Sequence, residues 1–196
     1  MSSLPSSALD QVFRAARTFT KFRDEPVSDE TLEQLYELAR WGPTAFNCQP
    51  ARFVFVRGTE AKQRLGACLS AGNLEKTMKA PVTVIVAQDL RFFEHLPEQF
   101  PHNPSAQAPF ADNAALAQAA ALRNSSLQGA YLIVAARMLG LDCGPMSGFN
   151  ATALDAAFFP DGRCKSNFLI NLGYGDASAL RPRGPRLAFA AVASIL

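Results

Sequence analysis

From residue 28 onward the chain switches between two apolar patterns. Leu32, Leu35, Tyr36 and Ala39 recur at helical spacing, the mark of a helix with one buried face. Ser28 precedes Asp29 and Glu30, a capping hydroxyl followed by first-turn acids that suit the positive helix end. Gly42-Pro43 stops that helix just after Arg40. Residues 52–56, RFVFV, then form an aromatic and β-branched run that reads as a strand. A shorter helix is expected over 60–69. Residues 81–87, PVTVIVA, are almost wholly apolar, as a strand buried on both faces would be. The longest helical stretch, 113–139, is rich in alanine, interrupted by Arg123, Asn124 and Gln128, and closed by Gly140. It predicts a central core helix. A glycine-containing loop at 143–149 leads to a short helix at 151–157. Residues 167–174, NFLINLGY, read as another central strand.

Three stretches lack this order. Residues 1–11 are Ser-rich and are expected to be loose. Residues 89–112 hold four prolines, both histidines and Phe92, Phe93, Phe100 and Phe110. Such a segment is either a lid or binding loop, or an excursion packing its own aromatics. The tail, 187–196, is apolar and needs cover. No repeat or linker divides the chain, so 1–196 is expected to be one α+β domain. Its sheet should be mixed but largely antiparallel, covered by helices.

Composition removes several classes of function. Apolar residues make up 48% of the 196 and charged residues 18%, which suits a packed domain and excludes a disordered chain. The net charge is only +2, against a general nucleic-acid binder. The longest apolar stretch, 129–136, is far short of a membrane span. Cys48, Cys68, Cys143 and Cys164 form no close pair, and residues 1–11 lack a signal-peptide pattern. A reduced, cytoplasmic protein is the expectation. His95 and His102 stand seven apart with no clustered Cys or carboxylate, so no metal site is expected. Gly173-Tyr174-Gly175 lacks the third glycine and the following helix of a dinucleotide fingerprint. There is no P-loop and no G-x-S-x-G elbow. Arginine, however, supplies 14 of the 19 basic residues, and Arg181, Arg183 and Arg186 follow the last acid, Asp176. Arginine suits two-pronged contact with carboxylate or phosphate.

Four polar clusters sit at breaks between apolar elements: 17–20 (RTFT), 42–47 (GPTAFN), 144–149 (GPMSGF) and 183–186 (RGPR). Singly, each has an ordinary structural explanation. Together, in this order, they resemble the FMN-dependent nitroreductase family. The resemblance runs from about Arg17 to Leu187. It rests on Arg17-Thr18, a P-[ST]-x-x-N-x-Q-P turn at 43–50, Gly72-Asn73, the 144–149 loop, the 172–175 strand end and a closing Pro-Arg-x-x-Arg-Leu. Within the family, the strings WGPT (41–44), GNLEKT (72–77), APVT (80–83), RNSS (123–126), GPMSGF (144–149) and KSNFLINLGYGD (165–176) are most similar to the malonic semialdehyde reductases of uracil breakdown.

The resemblance implies a homodimer with two shared flavin sites. Arg17, Arg183 and Arg186 would bind the FMN phosphate, and Thr18 would donate to the cofactor. Pro43, Thr44 and Asn47 would line the ring and ribityl chain, contributed by the neighbouring subunit. Asn73 would bond the ring's polar edge or the ribityl chain. Pro145 and Met146 would lie against the ring, with the N–H groups of Ser147 and Gly148 aimed at N5 and O4. Thr20, and Ala16 before Arg17, stand where the family commonly has basic residues. The implied activity is ping-pong hydride transfer from NADPH or NADH to malonic semialdehyde, giving 3-hydroxypropionate. The flavin carries the hard step, so no catalytic side chain is expected. Arg123 is the candidate for the substrate carboxylate. A broad nitroaromatic or quinone reductase and a non-catalytic flavin-binding protein are the alternatives.

Overall fold

The computed structural model describes residues 2–196. Four strands form one sheet in the order β1-β2-β4-β3: β1 (Ala51–Val56), β2 (Val82–Asp89), β3 (Asp142–Met146) and β4 (Cys164–Gly173). Every pairing within it is antiparallel. A parallel contact occurs outside it, as an isolated bridge between Thr18 and Cys143. β2 is buried along its whole length because it is central and covered on both faces.

Helices cover the sheet. α1 (Asp29–Ala39) begins at Ser28, whose hydroxyl accepts from Thr31 N–H at 3.2 Å. Its buried Leu32, Leu35 and Ala39 face the long helix α4 (Ala114–Met138) and the sheet. Gly42 ends α1 where any Cβ would lie 2.6 Å from the Tyr131 ring. α2 (Thr59–Gly66), α3 (Ala71–Lys79) and α5 (Ala151–Phe158) lie on the opposite side. There Leu65, Ile85, Leu154 and Leu169 form a separate apolar cluster. α4 crosses the sheet closely at Gly129, with Phe168 and Val86 against its backbone. It stops at Gly140, whose φ of +78° favours glycine.

Several expectations change. The segment expected to be loose carries a helical turn, Ser6–Leu9, continued by a π-helical turn at Asp10–Arg14. It is tied to the end of α4: Gln11 Nε2 donates to Arg137 O at 2.8 Å, and Arg137 donates to Val12 O at 3.1 Å. The helix expected at 60–69 is Thr59–Gly66, and the second helix behind it, α3, went unread. The first part of the loop expected at 143–149 is strand β3. Residues 89–112 form short helical turns around their own core of Phe92, Leu96, Ala106 and Phe110. That is the aromatic-packing alternative. The tail is exposed in the single chain, with Leu187 75% and Ile195 89% accessible.

Candidate functional site

The fold brings the first and third clusters together. The Arg17–Thr20 segment runs beside the start of β3, where Phe19 N–H donates to Cys143 O at 3.0 Å. Gly144 must be glycine for this approach, since a Cβ there would overlap the Phe19 carbonyl. The fourth cluster folds back onto the same place. Arg183 donates to the carbonyls of Arg14 and Ala16 at 2.9 and 2.7 Å, and Arg17 donates to the Arg181 carbonyl. Among the described residues neither guanidinium has a carboxylate partner, so both charges stay available to an anion. Arg186 is not drawn in. It bonds only the Gly184 and Pro185 carbonyls of its own turn, at 3.0 and 3.1 Å.

α3 holds the segment after β3. Asn73 Nδ2 donates to Gly148 O at 2.8 Å, and Ser70 N–H reaches the same carbonyl at 3.1 Å. A Cβ on Gly148 would sit 2.5 Å from that amide nitrogen. One turn along α3, on the same face, Thr77 donates to Met146 Sδ at 3.6 Å. Pro145 and Ser147 are exposed on this edge. Among the described residues, the N–H groups of Ser147 and Gly148 have no protein acceptor. Two adjacent free donors on a segment held from behind form a cradle for an electron-rich planar edge. Thr20 lines a cavity of about 410 Å³ with Lys21, Gly72, Glu75, Lys76, Lys79 and Asp176. Lys79 pairs with Glu75, and Lys21 and Lys76, which sequence reasoning missed, are the further cations beside Thr20.

The second cluster stands apart. Among the described residues no hydrogen bond links Pro43, Thr44 or Asn47 to the 17–20, 73 or 145–148 residues. The turn is instead built against α4 and the 89–112 excursion. Phe46, Asn47 and Gln49 have φ of 54°, 50° and 39°, left-handed values that non-glycine residues adopt at a cost. Asn124 Oδ1 accepts from Ala45 N–H at 2.9 Å, and Gln128 Oε1 accepts from Ala51 N–H at 2.8 Å. Thr44 Oγ1 accepts from Gln49 N–H at 3.2 Å, and Asn47 donates to Gln99 O at 2.9 Å. Phe46 meets Phe100 and Phe110 edge-on, at 5.5 and 6.1 Å between centroids. Asn124 and Gln128 were seen in the sequence only as breaks in an alanine-rich helix. Their i,i+4 spacing was the available signal.

Arg123 is exposed beside Asn124 and has no ion pair among the described residues. Its neighbours Ser125 and Ser126 both receive hydrogen bonds from Asn167, at 3.0 and 2.9 Å. The cysteines offer no nucleophile, because burial pushes the Cys48 thiol up to about 11 and the Cys143 thiol to about 12. Among the described residues there is no group of three metal-ligating side chains, and no helix is long and apolar enough to cross a membrane.

Residues 13–174 match the sequence profile of the Nitroreductase family, and the chain belongs to that family. A protein of Ralstonia nicotianae, provisionally named NADH dehydrogenase/NAD(P)H nitroreductase, is 56% identical over 196 residues, the whole of both chains. A Stutzerimonas stutzeri protein with the same provisional name is 61% identical over 186 residues, 95% of this chain and 94% of its own. Among solved structures, a provisionally named nitroreductase of Bacillus subtilis superposes with a TM-score of 0.88 at 21% identity. The match covers 98% of this chain and 100% of the other. A similar protein of Exiguobacterium sibiricum, solved in complex with FMN, gives 0.86 at 19% identity over the whole of both chains. These two likenesses establish a common nitroreductase-like fold.

Proposed function

We propose that the chain is an FMN-dependent NAD(P)H oxidoreductase, acting as a homodimer and reducing malonic semialdehyde to 3-hydroxypropionate. One observation carries the flavin reading: the free N–H pair of Ser147 and Gly148, held by the bond from Asn73, in a chain that also carries the carboxylate-free Arg17 and Arg183. That donor set fits FMN. Arg17 and Arg183 would take the phosphate, with Thr18 beside them and Arg186 closing from the tail. Asn73 and Thr20 would face the ring and ribityl chain, and Pro145 and Met146 would lie against the ring. The paired N–H groups stabilise negative charge that develops at the ring edge during reduction. When bound, FMN supplies the hydride relay, accepting from NAD(P)H and then donating to the second substrate.

Two features of the single chain support the dimer. The apolar tail is uncovered, and the strained turn bearing Pro43, Thr44 and Asn47 makes no hydrogen bond to the rest of the proposed site. A second copy would cover the first and deliver the second to a neighbouring flavin. Arg123 supports the choice of substrate. An exposed guanidinium with no ion pair among the described residues, one residue before the Asn124 that bonds this turn, suits the carboxylate of a semialdehyde, whereas quinones and most nitroaromatics carry none.

Anaerobic addition of NADPH or NADH to the yellow protein, followed by malonic semialdehyde, a quinone or a nitroaromatic, tests the reading. Flavin bleaching separates an oxidoreductase from a flavin-binding protein. Arg123→Met should lower kcat/KM for the semialdehyde about tenfold or more, corresponding to the loss of about 1.5–3 kcal/mol, while sparing quinone reduction and FMN content. Equal loss on both acceptors would refute the carboxylate role.

A further inference from the structure

Lys62 on α2 is the one buried cation among the described residues, with 6% of its surface accessible. Its ammonium donates to the Thr77 carbonyl at 2.8 Å and to Thr83 Oγ1 at 2.7 Å. The chain of donors continues from there. The Thr83 hydroxyl donates to Asn171 Oδ1 at 2.8 Å, and Asn171 Nδ2 reaches Thr77 Oγ1 at 3.4 Å. The Thr77 hydroxyl, receiving that bond, donates to Met146 Sδ. Each member accepts from the one before and donates to the one after. The direction is set by the ammonium, which can only donate.

No carboxylate pairs with Lys62 among the described residues. β2 presents the Thr83 hydroxyl to it, α3 presents the Thr77 carbonyl, and Asn171 of β4 lies one step further on, behind Thr83. The other charged groups on these helices are not its partners. Glu60 and Arg64 on its own helix are exposed, Glu75 and Lys79 of α3 pair with each other in solvent, and Lys76 lines the cavity beside Thr20. On α5, Asp155 is engaged by Ser166 N–H and lies 3.7 Å from Lys165. Burial without a counter-ion disfavours the charged form and brings the Lys62 ammonium down to about 8. A purely apolar residue would fill this space without that penalty.

We propose that Lys62 is a positioning residue for the flavin edge. Through Thr83, Asn171 and Thr77 it fixes Met146 and the adjoining Ser147–Gly148 donors, and it places a buried positive charge behind them that favours reduced over oxidised flavin. The proposal rests on the FMN reading of the site and adds to it a residue that touches neither cofactor nor substrate.

The test compares wild type, Lys62→Met and Thr77→Val. FMN is titrated into the apoprotein, and the midpoint potential of the bound flavin is measured anaerobically from pH 6.5 to 9.5. Beyond the fall that the flavin's own proton uptake imposes, the wild-type preference for reduced over oxidised FMN should drop about a further tenfold as pH rises through about 8 and Lys62 loses its proton. That corresponds to roughly 30 mV for a two-electron couple. Lys62→Met should show the weaker preference at every pH and lack this step. Thr77→Val, which keeps the charge but cuts the link to Met146, should keep the step with a smaller preference throughout. A Lys62→Met protein that loses only thermal stability and keeps the wild-type potential profile overturns the proposal. So does a Thr77→Val protein whose potential matches wild type at every pH, which decides the matter even if the Met variant does not fold. An apoprotein that binds no FMN would instead refute the flavin site itself.

Discussion

Asn124→Ala tests how the strained turn is held. Phe46, Asn47 and Gln49 occupy left-handed backbone within four residues. At roughly 1–2 kcal/mol each, less for asparagine, the strain is of order 3–5 kcal/mol. Hydrogen bonds from Asn124, Gln128, Thr44 and Asn47 oppose it, and Gln49 Nε2 adds bonds to Asn47 Oδ1 and Gln99 Oε1 at 3.0 and 3.1 Å. At about 1 kcal/mol each, less for the exposed ones, they offset it, and the two edge-on Phe46 contacts add about 0.5–1.5 kcal/mol apiece. Removing the Asn124 amide deletes one of these bonds together with its own bond to the Ala120 carbonyl at 2.9 Å, and leaves a small void at a position only 2% accessible. Because Ala45 is exposed, water can re-satisfy its N–H, so the local loss should be about 1–2 kcal/mol. If this turn lines the flavin, the binding-competent fraction falls with it, and FMN affinity should weaken about 5- to 30-fold. Fluorescence titration of apoprotein with FMN, beside thermal unfolding, measures both. A variant that melts earlier yet binds FMN within twofold of wild type would refute the argument. The turn would then be structural only.

Gly129→Ala should destabilise the fold by about 1–2 kcal/mol in urea unfolding. The new methyl would overlap Phe168 Cζ and lie 2.9 Å from its Cε1 and 3.2 Å from Val86 Cγ1, an overpacking that exceeds alanine's helix preference; a more stable variant would show the ring free to move. Asp89→Asn should cost about 1.5–3 kcal/mol at pH 7, because the fully buried carboxylate accepts from Arg52 at 2.5 Å, Arg163 at 3.0 Å and Arg91 N–H at 2.8 Å. Burial pushes this carboxyl up, but the hydrogen bonds from Arg163 and Arg91 N–H and the charges of Arg52 and Arg163 together hold it below its ordinary value. Its stabilisation is then complete above the unfolded value near 3.9 and is lost as pH falls through the lower folded one. Melting temperatures of the two proteins should converge only below about pH 4, and a constant difference down to pH 2 would contradict the pairing.

The elements legible in the sequence were those whose burial leaves a periodic trace. α1 shows an apolar stripe, a hydroxyl cap and a Gly-Pro stop, and β2 shows an unbroken apolar run. α3 left no trace, because only Thr77 in AGNLEKTMK is buried and its work is done by polar groups. β3 was hidden by Gly144 and Pro145. As an edge strand it tolerates a proline that a central strand would not. The N-terminal turn is held by bonds to the far end of α4, partners about 126 residues away, and no local pattern reports such contacts.

The candidate site divides in the same way. Residues that would touch a ligand, such as Arg17, Asn73 and the 145–148 segment, stand in recognisable strings. The residues that hold them do not. Asn124 and Gln128 on α4 grip the 44–51 turn four residues apart, and Asn73 and Thr77 on α3 grip the 146–148 segment at the same spacing. Each pair uses one helical turn to fix two points on an irregular segment. Such a pair is invisible to apolar periodicity, since a polar residue on a buried face reads as an interruption. If the chain binds FMN as proposed, these interruptions are where the protein contributes most, because its task is then to hold donors still. A buried polar pair at i,i+4 beside a strained or glycine-bearing segment is therefore a better pointer to the site's scaffold than any single conspicuous side chain.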